Sequence, residues 1–122
     1  MENGFAVKLV QVEIRTLNPY QAEQANKYDV EIHKMKNLDL STIPKFKNPL
    51  YISLDMDGFD PAFAPGVSRH EARGLTSRQV IDLIQNIYSE IIGADIVEYN
   101  PNRGFQSMTA FLAAKMMKEI LS

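Results

Sequence analysis

Leu50-Tyr51-Ile52-Ser53-Leu54-Asp55-Met56-Asp57-Gly58-Phe59-Asp60-Pro61 decides how this chain is read. Leu50 to Leu54 is a nearly continuous apolar run, which predicts a strand covered on both faces. Three carboxylates then fall within six residues, directly after that strand. The stretch that follows, from Gly58 to Gly74, is broken by Pro61, Pro65 and Gly66. That is loop composition, and its length points to a functional loop.

The flanking segments alternate between strand and helix patterns. Upstream, Val7 to Ile14 has β-branched residues at Val7, Val10, Val12 and Ile14 and reads as a strand. Asn18-Pro19 is a helix-start signal, and Pro19 to about Lys27 is good helix material. Asp29 to Met35 alternates Val30 and Ile32 with charged neighbours, as a short edge strand would. Residues 36 to 48 are a polar connection punctuated by Pro44 and Pro49. Downstream, Thr76 to Gln79 fits a capping box, with Leu75 and Val80 placed as a hydrophobic staple. Val80, Leu83, Ile84, Ile87 and Ile91 follow helical spacing. Ala94 to Val97 reads as a fourth strand closed by Asn100-Pro101, and a last helix covers about Ser107 to Leu121. The order β-α-β-β-α-β-α predicts an α/β fold, a mainly parallel sheet with flanking helices.

Length and composition bound the function. At 122 residues, with 45% hydrophobic and 23% charged residues, the chain is expected to be one soluble domain spanning residues 1–122. A net charge of -2 and scattered Lys and Arg argue against a nucleic-acid partner. With no cysteine, disulfides, zinc ribbons and thiol catalysis are excluded. No apolar run approaches the roughly 20 residues needed to span a bilayer, so no membrane partner is expected. No secretory signal pattern opens the sequence. A cytoplasmic location is expected, unless an organelle-targeting segment is missing from this sequence.

Positions two apart in an extended chain point to the same side. Asp55 and Asp57 are therefore expected to aim both carboxylates at one site beyond the strand's C-terminal end, where open α/β sheets bind ligands. Two like charges about 4 Å apart repel by roughly 4 kcal/mol at an effective dielectric of about 20. A divalent cation offsets that directly, whereas protonating one Asp at neutral pH needs a large pKa shift. Oxygen donors favour Mg, Ca or Mn, and an added imidazole tilts the choice toward a transition metal. A solvated Asp-rich turn with Asp60 capping it is the other reading, and spacing leaves both open. Of the two histidines, His70 lies in the loop near this site and is the candidate for touching metal or substrate. His33, in an alternating strand, is expected to be solvated.

Ser53-Leu54-Asp55-Met56-Asp57-Gly58-Phe59-Asp60-Pro61-Ala62-Phe63-Ala64-Pro65-Gly66 closely resembles the Ser-x-Asp-x-Asp-x-x-Asp-Pro signature of the arginase and agmatinase (ureohydrolase) family. The version continuing Ala-Phe-Ala-Pro-Gly-Val-Ser is most similar to plant arginases and their bacterial relatives. The resemblance extends through Gly74-Leu75-Thr76, Gly93 to Pro101, Met108-Thr109-Ala110 and Ala113-Ala114-Lys115. Upstream, Leu9 to Thr16 resembles a strand that often reads Gly-Ile-Arg in the family. The resemblance implies a binuclear Mn2+ cofactor, with Asp55 matching the carboxylate that bridges two ions and Asp57 a ligand of one. Such a pair of ions lowers the pKa of a water, so that it can attack a guanidinium carbon. Glu98 matches the glutamate that pairs with the substrate guanidinium through charge-assisted hydrogen bonds, and Asp60 matches a loop-shaping position.

The resemblance also marks what this sequence lacks. The family's Gly-Gly-Asp-His and Asp-Ala-His-x-Asp segments, with its remaining metal ligands and its proton-transfer histidine, lie N-terminal to the matched region. Neither occurs here, so no residue of the chain is assigned a catalytic proton-transfer role. The implied fold is an incomplete arginase-type fold, the C-terminal portion. The implied function is cleavage of a guanidino compound, arginine to ornithine and urea first, agmatine second. The chain alone is expected to be inactive, and whether it is itself an enzyme stays open. A non-catalytic homologue acting as an interaction or regulatory module is the alternative, and a small metal-binding domain a third. Because the Asp-Ala-His-x-Asp strand lies between two strands present here, its absence is expected to expose strand edges. Partners implied are a guanidino small molecule and either further copies or a complementary ureohydrolase segment. Glu13 stands where glycine is frequent, and Arg69 and Ala72-Arg73 replace His and Pro-Gly in the plant-like loop, which bears on substrate identity.

Overall fold

A computed structural model of the chain describes residues 8–14 and 18–122. They fall into two compact units, Met1–Ile43 and Pro44–Ser122.

In the first unit, β1 (Val10–Ile14), α1 (Pro19–Lys27) and β2 (Glu31–Lys34) form a β-α-β sequence with β1 and β2 parallel. The start of α1 is fixed locally, as predicted. Asn18 Oδ1 accepts from the Gln21 N–H at 2.8 Å, while Gln21 Oε1 accepts from the Asn18 N–H at 3.0 Å. Two orphan donors of the first turn are thereby satisfied. The ladder runs from Val10 opposite Glu31 to Val12 opposite His33, then skips Glu13 to set Ile14 opposite Lys34. β2 is shorter than the predicted span, because Asp29 takes a left-handed conformation (φ 52°) and a 3₁₀ turn begins at Met35. His33 differs from expectation. Its side chain is only 14% exposed, because Nε2 reaches Glu31 Oε2, two residues back on the same side of the strand, at 2.8 Å. Val7, Arg15, Thr16 and the Glu13 side chain lie outside the described residues.

The second unit holds β3 (Leu50–Asp55), α2 (Ser77–Gln85), β4 (Ile91–Val97) and α3 (Met108–Leu121). β3 and β4 are again parallel, and α3 packs on α2 and β4. The α/β class with parallel strands and flanking helices is as the sequence predicts, although the strands pair as two two-stranded sheets. At the start of α2, Thr76 accepts from the Gln79 N–H and Gln79 accepts from the Thr76 N–H. The flanking Leu75 and Val80 are both buried.

Two readings are corrected here. The helical pattern does not run on to Ile91. Asn86 Nδ2 donates to the Asp82 carbonyl at 2.7 Å and ends α2. Ser89 then donates to the Phe46 carbonyl, and the Leu50 N–H donates to Glu90 O, so Ile91 opens β4 opposite Leu50. Nor is β3 covered on both faces. Leu50, Ile52 and Leu54 are half-buried while Tyr51, Ser53 and Asp55 are exposed, Tyr51 by 60%.

The buried core lies instead under the segment after β3. Met56, Phe59, Ala64 and Val67 are at most 1% exposed, and they join Leu75, Val80, Ile84, Met116 and Ile120. A buried Phe or Met contributes about 1.5–3 kcal/mol, so this loop is a folding element. Its backbone is anchored accordingly. The Asp60 N–H donates to Leu75 O at 2.9 Å and the Leu75 N–H to Gly58 O at 3.0 Å. Among the described residues, no helix is long and apolar enough to cross a membrane.

Candidate active site

β3 delivers Asp55 as its last residue. The chain does not stay extended beyond it, contrary to the sequence expectation. Asp55 Oδ1 accepts from the Asp57 N–H at 3.0 Å and starts a 3₁₀ turn, Met56–Gly58. The turn follows from its middle, since Met56 is fully buried and pulls the backbone inward. Asp57 still comes to Asp55, by the turn rather than by strand alternation, with its N–H bonded to the Asp55 carboxylate. Although Asp55 faces solvent, partial desolvation at the strand end pushes its carboxyl up to about 6, assisted by the neighbouring Asp57 carboxyl and the charge of Glu98 and opposed by the Asp57 N–H. Two of the residues singled out from the sequence, Asp57 and Glu98, therefore bear electrostatically on the third, Asp55.

Glu98 follows β4 directly and lies at φ 65°. A left-handed conformation costs a residue with a Cβ about 1–2 kcal/mol. Such strain persists where the surroundings over-determine it, and it collects at functional sites. Asn100 carries the same segment back to the loop. Its N–H donates to Gly66 O at 2.6 Å, and its side chain donates to Ser68 Oγ at 2.9 Å. The Gly66 N–H donates to the buried Thr109 hydroxyl at 2.7 Å. A Cβ on Gly66 would stand 2.8 Å from Thr109, so glycine is required for this close approach.

Asp60 shapes the loop. Its Oδ1 accepts from the Ala62 N–H at 3.0 Å, and its Oδ2 accepts from the N–H groups of Arg73 and Gly74 at 3.2 and 3.3 Å. His70 is likewise held by the loop itself, its Nε2 donating to Pro65 O at 2.6 Å. The sequence reading missed Asp95. Its carboxylate accepts from the hydroxyls of Ser53 and Tyr51, at 2.6 and 3.0 Å, and this pushes the Tyr51 phenol above its ordinary range. Nothing short of the strand register could have revealed that grouping.

Asp55 and Asp57 suit a divalent cation as oxygen donors, because a cation relieves the repulsion that partial desolvation sharpens. They are only part of a donor set. Among the described residues, no three His, Asp or Glu side chains gather as a metal cage. Glu98 thus acts on Asp55 by its charge rather than as a third donor. A half-open hollow of about 520 Å³, lined by Gln85, Ser89 and Glu119 as well as Ile84, Ile91 and Ile120, lies by the start of β4, at the other end of the strand from Glu98.

The arginase family profile matches residues 1–122, the whole sequence. The chain belongs to the arginase family. Its relatives include the mitochondrial arginase of Medicago truncatula, 42% identical over 128 residues that cover 98% of this chain and 38% of that protein. The solved arginase from Medicago truncatula superposes with a TM-score of 0.90 at 41% identity, covering 98% of this chain and 40% of that one. A triple mutant of the T. brucei arginase-like protein bound with Mn2+ gives 0.86 at 26% identity, covering 98% and 43%. The human mitochondrial guanidino acid hydrolase is 33% identical over 93% of this chain and 36% of its own length. The fold is thus an arginase fold in part, and the chain spans well under half the length of these family members. The expected cytoplasmic location is overturned. Arginases of Medicago truncatula and Arabidopsis thaliana are named mitochondrial, or chloroplastic/mitochondrial in one case from Arabidopsis thaliana. Organelle addresses sit in separable N-terminal segments, so a missing signal pattern does not report the compartment.

Proposed function

We propose that this chain supplies the C-terminal share of the active site of a manganese-dependent hydrolase that cleaves a guanidino compound to urea. Arginine is the first substrate, and agmatine the alternative. The observation that carries the reading is the placement of Asp55, with Asp57 bonded to it, opposite Val97 and so next to Glu98 at the downstream end of two adjacent parallel strands. The relatives named arginase and guanidino acid hydrolase support the substrate class. The Mn2+ bound by the triple mutant of the T. brucei arginase-like protein supports the metal.

Asp55 and Asp57 would hold the ions, which would supply an activated water. Asp55 would have to be ionised to hold a cation, a form that its partial desolvation disfavours. Glu98 orients the planar guanidinium, and its fixed backbone keeps the carboxylate aimed before substrate arrives. Asp60 and Gly66 keep the loop out of the way of that end by tying it to its own backbone and to α3. The remaining donors come from outside residues 1–122, so the chain is inactive alone and associates with a complementary segment or with further copies.

A graft tests this. Residues 1–122 replace the matching 38% of the Medicago arginase, and urea release is followed with Mn2+ present. The graft is expected to turn over arginine, Asp55→Ala and Asp57→Ala to abolish turnover, and Glu98→Ala chiefly to raise KM. A folded graft whose rate is indifferent to Asp55 and Asp57 overturns the reading. The absence of a three-residue ligand group among the described residues favours a second reading, a non-catalytic module. A folded graft without turnover, retaining its oligomeric state, would favour that one.

A further inference from the structure

Asp95 stands directly across from Ser53 in the β3–β4 ladder. Ser53 Oγ donates to its Oδ1 at 2.6 Å and the Tyr51 hydroxyl donates to its Oδ2 at 3.0 Å. Both carboxylate oxygens are therefore taken by residues two apart on one face of the neighbouring strand. Gly93 makes the Tyr51 half of the grip possible. A Cβ there would lie 2.9 Å from Cδ2 and Cε2 of the Tyr51 ring, so the ring crosses β4 where glycine leaves room.

Backbone pairing does not choose this arrangement by itself. The ladder starts irregularly, with Leu50 opposite Ile91 and Tyr51 opposite Gly93, so that Ile92 is skipped. A two-stranded parallel pair is also weakly specified in register, because few neighbours resist a slip. A slip of one residue turns every side chain of β3 to the opposite face. Asp55 would then leave its place opposite Val97, the residue before Glu98. A carboxylate that grips two positions of β3 sets register and face together.

We propose that Asp95 is a positioning residue: with Ser53, Tyr51 and Gly93 it locks β3 to β4 in the register that sets Asp55 and Asp57 beside Glu98. The lock is a property of the strand pair, and its functional consequence rests on the roles proposed above for those three residues.

The test uses the full chain, with interstrand NOEs for register and Mn2+ titration by electron paramagnetic resonance for the site. In Asp95→Ala the Asp55–Val97 NOEs are expected to vanish or shift by one residue, and Mn2+ affinity to fall about tenfold. Ser53→Ala and Tyr51→Phe, each removing one hydrogen bond, give smaller losses and serve where Asp95→Ala does not fold. Ser53→Thr keeps the hydroxyl and is expected to keep both signals. Ile84→Val, a core change away from the ladder, lowers stability but leaves both intact. If folded Asp95, Ser53 and Tyr51 variants retain the Asp55–Val97 pairing, the lock is wrong, whatever the metal does. If the pairing slips in these variants while the parent chain shows no Mn2+ binding, the lock stands and the metal role of the Asp pair falls.

Discussion

β1 and β2 pair regularly at their upstream end and break register at Glu13, whereas β3 and β4 break at Ile92 and pair regularly from Tyr51 through Asp55. Parallel α/β sheets present ligands at the downstream ends of their strands. The second pair therefore keeps its regular part under the carboxylates, and the first does not. Their charged side chains divide the same way. Glu31 on β2 meets the side chains of Lys8 and His33, while Asp95 on β4 holds the facing strand and Asp60 holds backbone N–H groups. Similar topology thus carries two kinds of electrostatics, one decorating a strand and one fixing where the chain goes.

The sharpest way to break the second pair's advantage is at its exit. A Cβ on Gly74 would sit 2.3 Å from Asp60 N and 2.4 Å from Phe59 C, where only backbone could yield. Gly74→Ala is expected to cost about 3 kcal/mol or more in urea unfolding. Gly104→Ala, whose new Cβ would meet nothing closer than 3.5 Å, should change little. A small cost for Gly74→Ala would mean that the loop is not anchored as described. Next comes Asp60→Ala, which removes the acceptor of three backbone donors, two of them open to water, and is expected to cost about 1–2 kcal/mol. Glu31→Ala in the first pair removes surface ion pairs only and is expected to stay within about 1 kcal/mol. Equal costs would erase the distinction between the two regions.

The pairs should also answer pH in opposite senses. The hydrogen bond from His33, with Lys8 beside it, holds Glu31 below its ordinary 4.5. The stability it contributes is present above that value and is lost as pH falls through the depressed pKa. Asp55 is raised from 3.8 to about 6, so its contribution is present below 3.8 and lost as pH rises through about 6. In chelator-treated protein, Asp55→Asn is expected to remove the loss between about pH 4 and 6. Glu31→Gln is expected to remove the loss on the acid side. At pH 7, Mn2+ should raise the unfolding midpoint of the parent chain and not of Asp55→Asn. The smallest effect belongs to Arg73, held at φ 70° where the plant-like loop has glycine. Arg73→Gly is expected to gain no more than about 1 kcal/mol, the relief of strain being offset by chain entropy; a clear loss would show that the side chain supports the loop.

What could be read beforehand follows from how local each cause is. The caps at Asn18 and Thr76 were legible because both partners lie within three residues. The carboxylate cluster of Asp55 and Asp57 was legible because it crowds behind one strand, while Glu98 is marked only by the family resemblance. The burial of β3 was not, since an apolar run says nothing about what covers it. Ile91 was misplaced because isoleucine suits either period, and the carbonyl capping by Asn86 decides the matter. The loop after Gly58 carries loop composition and yet buries Phe59 and Val67, a result of packing between segments far apart in sequence. Asp95 was invisible because its meaning depends on a register that breaks at Ile92.

The left-handed backbone at Glu98 has a consequence for descent. Glycine would be at ease at that position, as it would at Arg73, so selection for fold stability alone should favour glycine at both. A carboxylate that persists at 98 among copies of this chain, while 73 wanders, would record that the acid is still being used.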